Sequence, residues 1–372
     1  MEKRTFKGNE RISLLGFGCM RLPLKGEKPG DIDEEKFQEM IDLAIKRGVN
    51  YFDTAYIYHA GHSEPAVGRA LAKYPRESFK LATKLPTWLI KSESDIERIF
   101  NEQLERCGVD YFDFYLVHSI DASKLDIIEK NRICGHLAEK RNQGKIRHLG
   151  FSFHDTPDVL EKVVKMYKWE FGQIMVNYID WELQDAKRQY EILEENGIPA
   201  IVMEPVKGGA LTNLTNEATA IFQKADPNSD PASWALRYAA SLPNVFTVLS
   251  GMSNIDQMTQ NLDTFSNFRP MTDEDYKTVK KAVAAYRLSS NIQCTACNYC
   301  MDCKFGVDIP KVFAIYNQYL RDNEKFRFSM NYSILPQKNR ASSCVACGEC
   351  EKACPQHLKI SSLMKKVTAA AQ

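Results

Sequence analysis

The sequence carries almost no net charge. Its 372 residues include 49 Lys and Arg against 48 Asp and Glu, a formal charge of +1 at pH 7. This balance argues against the strong positive field with which proteins attract nucleic-acid phosphates or anionic membranes. The basic residues of the last 82 positions are dispersed rather than clustered, so they do not restore such a field. We expect neither a nucleic-acid nor a membrane partner.

Long hydrophobic runs are also missing. No stretch approaches the roughly 20 apolar residues of a membrane-spanning helix. The opening residues, MEKRTFKGNERISLL, do not contain the apolar core of a signal peptide. The composition, 44% hydrophobic and 26% charged, is typical of soluble globular proteins. We therefore expect a soluble protein of the cytoplasm.

No G-x-G-x-x-G motif follows the first predicted strand, which argues against a Rossmann dinucleotide-binding domain. Instead, eight short apolar runs alternate with helix-like segments. The runs are 14–20, 49–52, 78–83, 111–117, 146–152, 171–176, 198–203 and 244–250. Their apolar residues are continuous, as in parallel strands covered on both faces. Eight such units predict a (β/α)8 (TIM) barrel, with an open doubly wound sheet as the alternative.

Cysteine is plentiful and unevenly placed. Of the 11 cysteines, three are scattered through the first 290 residues. The other eight are Cys294, Cys297, Cys300, Cys303, Cys344, Cys347, Cys350 and Cys354. In a chain without a signal peptide, such a concentration predicts metal binding rather than a disulfide framework. It also places a domain boundary near residue 290, giving domains 1–290 and 291–372.

Ionisable side chains follow three consecutive predicted strands. Asp53 follows the second strand, with Tyr58 five residues later, and Lys84 and His118 follow the third and fourth. Barrel enzymes place their chemistry at the carboxyl ends of the strands, so these four groups are expected to meet. A lysine beside a tyrosine favours the phenolate and should lower the pKa of Tyr58. The set predicts a general acid that protonates a substrate oxygen.

Four segments around these residues resemble the aldo-keto reductase family. They read LGFGCMRLP (15–23), YFDTAYIYHAGHSEPAVGRAL (51–71), KLATKLP (80–86) and YFDFYLVHS (111–119). The resemblance implies a (β/α)8 barrel with Asp53, Tyr58, Lys84 and His118 as its catalytic tetrad. It further implies hydride transfer between a nicotinamide and the carbonyl carbon of an aldehyde or ketone. Tyr58 would be the general acid or base, and His118 would orient the carbonyl.

The resemblance also implies where the nicotinamide nucleotide binds. Ser152 and Gln173 match the family's Ser and Gln beside the nicotinamide amide, but Phe153 stands where the family has Asn. Met203 occupies the place of an aromatic residue that usually stacks on the nicotinamide. The complete set of implied cofactor-binding residues is Ser152, Gln173, Met203, Pro205, Gly208, Gly209, Gly251, Ser253, Gln257 and Asn261.

The phosphate-binding positions leave the choice of nucleotide open. Gly208 and Gly209 would let backbone amides approach a pyrophosphate. The segment VLSGMSNIDQMTQN (248–261) matches the family's adenosine-phosphate loop. Gly251 and Gln257 stand where NADPH-specific members have Lys and Arg, so the cations that would bind a 2′-phosphate are missing. The cofactor is therefore expected to be NADP or NAD.

The spacing of the late cysteines resembles a bacterial ferredoxin with two [4Fe–4S] clusters. Residues 344–355 have the spacing C-x2-C-x2-C-x3-C-P, and residues 294–303 have C-x2-C-x2-C-x2-C. The implied ligand sets cross over: Cys354 joins the first three cysteines, and Cys303 joins those that begin at Cys344. We expect a small α+β or α-helical ferredoxin-like domain, with a helical insert near 309–326. Two zinc sites of four cysteines each, or disulfides, are the alternatives.

Three functions fit this combination. The chain is a carbonyl reductase or alcohol dehydrogenase whose clusters are structural or connect to a redox partner protein. Alternatively, it is a flavin- or ferredoxin-coupled reductase, because clusters pass single electrons whereas a nicotinamide passes a hydride, and coupling the two needs a relay such as flavin. A non-catalytic electron carrier or binding subunit is the third reading.

Overall fold

The structure is a computed structural model in which residues 1–287, 292–322 and 324–371 are described. The chain forms two compact units. The first comprises Met1–Pro205 and Ala235–Met271, and the second comprises Val206–Trp234 and Thr272–Gln372. The predicted boundary between residues 290 and 291 lies outside the described residues and stays a prediction.

A hairpin that the sequence did not predict precedes the barrel. Strands β1 (Lys3–Phe6) and β2 (Glu10–Ser13) pair antiparallel. Phe6 of β1 and Ile12 of β2 are buried in one cluster with Tyr51, Phe114 and Phe246 of the barrel strands. The ring of Phe6 lies 4.5 Å from that of Phe246 and 5.3 Å from that of Phe114. The hairpin therefore supplies apolar side chains to the barrel interior.

Eight parallel strands close into a barrel, which confirms the predicted fold and excludes the open sheet. Each strand pairs with its neighbours in sequence, and the last pairs with the first. The strands are β3 (Leu15–Gly18), β4 (Tyr51–Asp53), β5 (Lys80–Pro86), β6 (Phe112–Ile120), β7 (Ile146–Phe153), β8 (Phe171–Met175), β9 (Ala200–Met203) and β10 (Val245–Ser250). Nearly every strand residue is buried, as expected for parallel strands between a core and a layer of helices.

Helices connect the strands. They are α1 (Glu34–Lys46), α2 (Ser63–Leu71), α3 (Glu93–Cys107), α4 (Leu125–Lys130), α5 (Ile133–Asn142), α6 (Pro157–Met166), α7 (Asp180–Leu183) and α8 (Ala186–Glu195). Local sequence sets their ends: α3 starts in a capping box formed by Ser92 and Asp95 and stops at Gly108, whose φ is 62°. Further along lie α9 (Asn216–Ala225), α10 (Pro231–Ala240) and α11 (Ile255–Ser266).

The second unit is helical in its described residues. Helix α12 (Asp273–Arg287) packs against α9. The remaining helices are α13 (Ile309–Asp322), α14 (Lys325–Ile334), α15 (Glu349–Lys352) and α16 (Ile360–Ala371). Val312, Phe313, Phe328, Met364 and Val367 form its apolar core, against which the cysteine-bearing segments pack. The predicted helical insert is therefore present as α13 and the start of α14. None of the described helices combines the length and the apolar character that a membrane span requires.

Candidate active site and candidate cluster sites

The barrel brings the four predicted catalytic side chains together. Asp53 is the last residue of β4, Lys84 lies in β5 opposite Leu116 of β6, and His118 lies two residues further along β6. Because β4, β5 and β6 are consecutive parallel strands, their carboxyl ends lie side by side. Tyr58 follows β4 in a short 3₁₀ segment.

Two of the four side chains, Lys84 and Asp53, form a buried ion pair. The Lys84 Nζ donates to Asp53 Oδ1 at 2.6 Å and to the carbonyl oxygen of Thr54 at 2.7 Å. Lys84 has no exposed surface and Asp53 is 2% exposed. Burial raises the pKa of Asp53, and the Lys84 ammonium offsets part of that rise. The pair keeps a positive charge 4.9 Å from the ring centre of Tyr58.

The phenol of Tyr58 holds its proton more tightly than the sequence predicted. Part of this side chain is exposed, yet burial is the largest influence on it and raises its pKa well above the ordinary value. The charge of Asp53 raises the pKa further, and Arg21 lowers it. The predicted lowering of the Tyr58 pKa is therefore wrong, because burial has the largest effect and raises the pKa. Tyr58 is therefore a neutral phenol at neutral pH.

His118 is a neutral hydrogen-bonding group beside Tyr58. The two rings meet edge to face, with centres 6.1 Å apart. Burial, and then the charge of Lys84, hold the pKa of His118 well below its ordinary value. Among the described residues, no group hydrogen-bonds to His118 Nδ1, although that atom is buried. The ring of Trp88 lies 5.1 Å from that of His118 and is 38% exposed, so it borders the same site.

A second charged pair, which the sequence did not predict, lies near Tyr58. Arg21 follows β3 and Glu204 follows β9, and their side chains approach to 3.5 Å between Nη2 and Oε1. Both charges influence the Tyr58 phenol, Arg21 lowering and Glu204 raising its pKa. The rule that charged residues directly after barrel strands line the site would have identified both. Glu204 has a φ of 56°, an uncommon conformation for a residue with a side chain.

Three of the implied cofactor-binding residues lie on neighbouring strands. Ser152 of β7 is paired with Gln173 of β8, and Gln173 Nε2 lies 3.5 Å from the sulfur of Met203 on β9. The Ser152 hydroxyl oxygen accepts the N–H of Ser119 at 2.7 Å, which leaves its own proton to be donated. In the described ranges nothing hydrogen-bonds to Gln173 Oε1, which is buried. A buried acceptor of this kind needs a donor.

The residues implied for adenosine-phosphate binding form hydrogen bonds within their own loop and to neighbouring segments. The Ser253 N–H donates to Gln257 Oε1, and the Ser253 hydroxyl donates to the carbonyl of Arg21, both at 2.8 Å. Asn261 is mostly buried and donates to the hydroxyl of Ser250 at 2.9 Å. A Cβ on Gly251 would lie 3.5 Å from the Cβ of Arg21. The structure thus links this loop to the segment that follows β3.

The other implied phosphate-binding residues lie where the chain passes from the first unit to the second. Pro205 is the last residue of the segment Met1–Pro205 of the first unit, and Gly208 and Gly209 belong to the second unit. The φ angles of the two glycines are 63° and 94°, which favour glycine. A Cβ on Gly208 would lie only 2.2 Å from the carbonyl oxygen of Thr295. Within the second unit, then, Gly208 permits close contact with the first cysteine segment.

The eight late cysteines surround two cavities, each lined by four of them. The first, here called the Cys354 cavity, is lined by Cys294, Cys297, Cys300 and Cys354. The second, the Cys344 cavity, is lined by Cys303, Cys344, Cys347 and Cys350. The structure therefore groups the cysteines into the crossed sets that the ferredoxin resemblance implies. Ile309 and Ile360 line both cavities.

The thiols of each set face a common space. Burial raises the pKa of Cys300, and its neighbours Cys297, Cys294 and Cys354 raise it further. Burial likewise raises the pKa of Cys350 to about 11. Mutual repulsion of this kind requires a positive core if all four are to be thiolates. In the described residues, no three Cys, His, Asp or Glu side chains are grouped to hold one metal ion.

Comparison with known proteins agrees with this architecture. A model of the Aldo/keto reductase family matches residues 14–284, and a 4Fe-4S dicluster domain model matches residues 293–358. The chain is 28% identical over 302 residues to an uncharacterized oxidoreductase, YqkF, of Bacillus subtilis, covering 72% of this chain and 92% of that protein. It is 27% identical to an NADH-specific methylglyoxal reductase of Escherichia coli, covering 54% and 66% respectively.

A solved structure shows the same likeness. The holo form of the aldo-keto reductase AKR11C1 from Bacillus halodurans is 25% identical, with a TM-score of 0.64. The match covers 76% of this chain and 96% of that one, so the barrel is shared almost completely. The chain therefore belongs to the aldo/keto reductase family of oxidoreductases and carries a 4Fe-4S dicluster domain after its barrel.

Proposed function

We propose that the barrel reduces an aldehyde or ketone, or oxidises the corresponding alcohol, with a nicotinamide nucleotide. The observation that carries this proposal is the buried Lys84–Asp53 pair beside Tyr58, with neutral His118 against the Tyr58 ring. A bound nicotinamide supplies or accepts a hydride at its C4 atom. Reduction of a carbonyl then needs one further proton, which the protein must place on the substrate oxygen.

The protein's own groups fit that need. Tyr58 donates its phenolic proton to the oxygen as negative charge develops there. His118, kept neutral by burial, donates a second hydrogen bond to the same oxygen and orients the carbonyl. The Lys84 ammonium stabilises the phenolate that Tyr58 becomes, and Asp53 holds Lys84 in place. In alcohol oxidation the same groups act in reverse.

A nicotinamide fits the residues beside this site. Its amide N–H would satisfy the buried Gln173 Oε1, and the Ser152 hydroxyl would donate to its carbonyl. Met203 would pack softly against the ring. The loop 251–262 contains no Lys or Arg, so it offers a 2′-phosphate no charge-assisted contact. We therefore propose that NADH is accepted as well as NADPH, in line with the NADH specificity named for the E. coli relative.

We further propose that each four-cysteine cavity holds a [4Fe–4S] cluster. The four cysteines that line each cavity form the crossed sets of a two-cluster ferredoxin, which supports a cubane rather than a single zinc ion. The clusters would stabilise the second unit or exchange electrons with a redox partner protein. A reducing compartment such as the cytoplasm would keep the eight thiols available.

Isotope transfer tests the proposed reaction. NADH and NADPH carrying deuterium at nicotinamide C4, on either face, are supplied to the anaerobic full-length protein with a panel of aldehydes and ketones. We expect deuterium on the carbinol carbon of an alcohol product with one of the two labelled faces. Consumption of carbonyl without label transfer would contradict hydride transfer, and absence of any carbonyl reduction across the panel would reject the proposed activity.

A further inference from the structure

The peptide unit that joins Arg21 to Leu22, just after β3, is hydrogen-bonded at both of its ends. Its N–H, on Leu22, donates to Nε2 of His59 at 3.0 Å. Its carbonyl oxygen, on Arg21, accepts the hydroxyl of Ser253 at 2.8 Å. His59 directly follows Tyr58, and Ser253 belongs to the segment implied to bind the adenosine phosphate. This unit, here called the 21–22 peptide, therefore connects the turn that carries Tyr58 to the loop that carries Ser253.

The contacts of His59 fix which of its ring nitrogens carries the proton. A backbone N–H can only donate, so Nε2, which accepts from Leu22, carries none. Nδ1 lies 2.8 Å from the carbonyl oxygen of Pro29, which can only accept, so Nδ1 is the donor there. Burial is the largest influence on His59 and lowers its pKa, although the carbonyls of Pro29 and Met20 raise it. The ring is therefore neutral, with one acceptor and one donor in use.

These bonds form one aligned chain. The Ser253 hydroxyl donates to the 21–22 peptide, that peptide donates to His59, and His59 donates to Pro29. Hydrogen bonds that point the same way along such a chain polarise and strengthen one another. Loss of the His59 ring would break the chain in its middle and release the 21–22 peptide at its N–H end.

The backbone at His59 has an uncommon conformation. His59 and Ala60 have φ angles of 53° and 54°, a region that residues with a side chain seldom adopt and that glycine adopts at less cost. Such strain persists only where surrounding contacts determine it, and it clusters at functional sites. At His59 the contacts are the two hydrogen bonds of its ring.

The loop that carries Ser253 packs directly on the 21–22 peptide. A Cβ on Gly251 would lie 3.5 Å from the Cβ of Arg21. The Ser253 N–H donates to Gln257 Oε1 at 2.8 Å, so Ser253 joins this peptide to the first turn of α11. Whatever fixes the 21–22 peptide therefore also fixes the start of the loop, here called the Ser253 loop (251–254).

We propose that His59 is a positioning residue for the nicotinamide nucleotide. By accepting the Leu22 N–H, it holds the 21–22 peptide against Ser253 and so keeps the Ser253 loop in its nucleotide-binding conformation. His59 itself does not touch the nucleotide. The inference rests on the proposed function, because it requires that a nicotinamide nucleotide binds to this barrel. It predicts weaker nucleotide binding, rather than loss of the proton donor, when the ring is replaced.

The test is the affinity of the full-length protein for NADH and NADPH, measured anaerobically by titration calorimetry. His59→Phe keeps an aromatic ring but makes neither hydrogen bond. We expect its Kd for the better-bound nucleotide to rise about tenfold, as for the loss of one well-oriented hydrogen bond. KM for the nucleotide should rise with Kd, whereas kcat at saturating nucleotide should change little, because Tyr58 is retained.

Two further single variants separate this role from general damage. His59→Gln has both an acceptor and a donor in its side chain and should keep most of the affinity. His136→Phe is the matched control, because His136 of α5 is hydrogen-bonded to Glu93 at 2.7 Å, and its replacement should leave Kd unchanged. An unchanged Kd in His59→Phe would overturn the inference. Equal weakening in His59→Phe and His59→Gln would do the same.

A double variant tests the route through Ser253. Where Ser253→Ala has already broken the link to the loop, His59→Phe should weaken nucleotide binding less than it does alone. Losses that simply multiply would contradict this route. Loss of cooperative unfolding in His59→Phe would also contradict the inference, because the role would then be structural. An unmodified protein that binds neither NADH nor NADPH would instead refute the proposed function itself.

Discussion

Lys84 Nζ lies 2.6 Å from Asp53 Oδ1, and both side chains are almost completely enclosed by the barrel. Two opposite charges buried this way are costly to separate. The pair also holds a positive charge 4.9 Å from the ring of Tyr58, where it can stabilise a phenolate. One contact thus serves the stability of the barrel and the proposed proton transfer.

Replacing Lys84 by Met should therefore destabilise the barrel and abolish carbonyl reduction. Asp53 would be left buried without its cation, and breaking such a pair costs about 3–5 kcal/mol. Urea denaturation of the two proteins measures the difference. Arg69→Met provides the control, because Arg69 and Glu34 form a pair that is 58% and 53% exposed. That change should cost less than about 1 kcal/mol. Equal losses in the two variants would contradict the assigned burial of the Lys84 pair.

Carbonyl reduction should depend little on pH around neutrality. Burial holds the pKa of His118 well below the ordinary histidine value of about 6.5, so the imidazole stays neutral as the pH falls through that value. Burial also raises the pKa of Tyr58 well above 10, so the phenol stays protonated as the pH rises through 8 and 9. We expect kcat/KM for reduction to be flat from about pH 6.5 to 9. A break in the profile near pH 6.5 would show that His118 is protonated there and would contradict this assignment.

The predicted elements and the unpredicted contacts differ in how far apart their residues are in sequence. Each tetrad residue directly follows, or lies within a few residues of, an apolar run, so the barrel pattern alone brought Asp53, Lys84 and His118 to one rim. The Arg21–Glu204 pair joins residues 183 positions apart, and the hydrogen bond from Lys207 to Gln356 spans 149. In neither pair does the local sequence around one residue indicate which distant residue it contacts.

The sequence also did not predict how burial changes the pKa of Tyr58. The pKa of Tyr58 was expected to fall beside Lys84, but the enclosure of the phenol has the larger effect and raises it. The hairpin of β1 and β2 was missed because its strands of four residues are polar at several positions and lack the continuous apolar run of the barrel strands. The cysteine spacing, by contrast, is local, and its resemblance to a two-cluster ferredoxin implied the crossed sets that line the two cavities.

Adding a single methyl group at Gly208 should disturb the Cys354 cavity. In Gly208→Ala the new Cβ would lie 2.2 Å from the carbonyl oxygen of Thr295, in a backbone conformation that alanine adopts poorly. Either the residues around Gly208 or the loop that carries Cys294 must move. We expect about half of the iron to be lost on desalting, because only one of the two cysteine sets is affected. Gly348→Ala is the matched control.

Gly348 has a positive φ of 80°, but no atom lies within 4 Å of a Cβ added there. The Gly348→Ala control therefore tests backbone strain alone, beside the Cys344 cavity. Iron should be retained there or lost only slightly. Complete retention of iron in Gly208→Ala, together with an unchanged visible spectrum, would show that the close approach to Thr295 does not support the cluster site.

Tyr58 is the proposed source of the proton in carbonyl reduction, and replacing its hydroxyl tests that role. The control is Tyr56→Phe, since Tyr56 lies two residues away and its hydroxyl donates to Glu102 at 2.7 Å. With a carbonyl substrate and NADH or NADPH, we predict that Tyr58→Phe lowers kcat by about 10²–10⁴-fold with unchanged iron content, and that Tyr56→Phe does not. A Tyr58→Phe protein that reduces the carbonyl at the unmodified rate would contradict the assignment of the acid and, with it, the proposed mechanism.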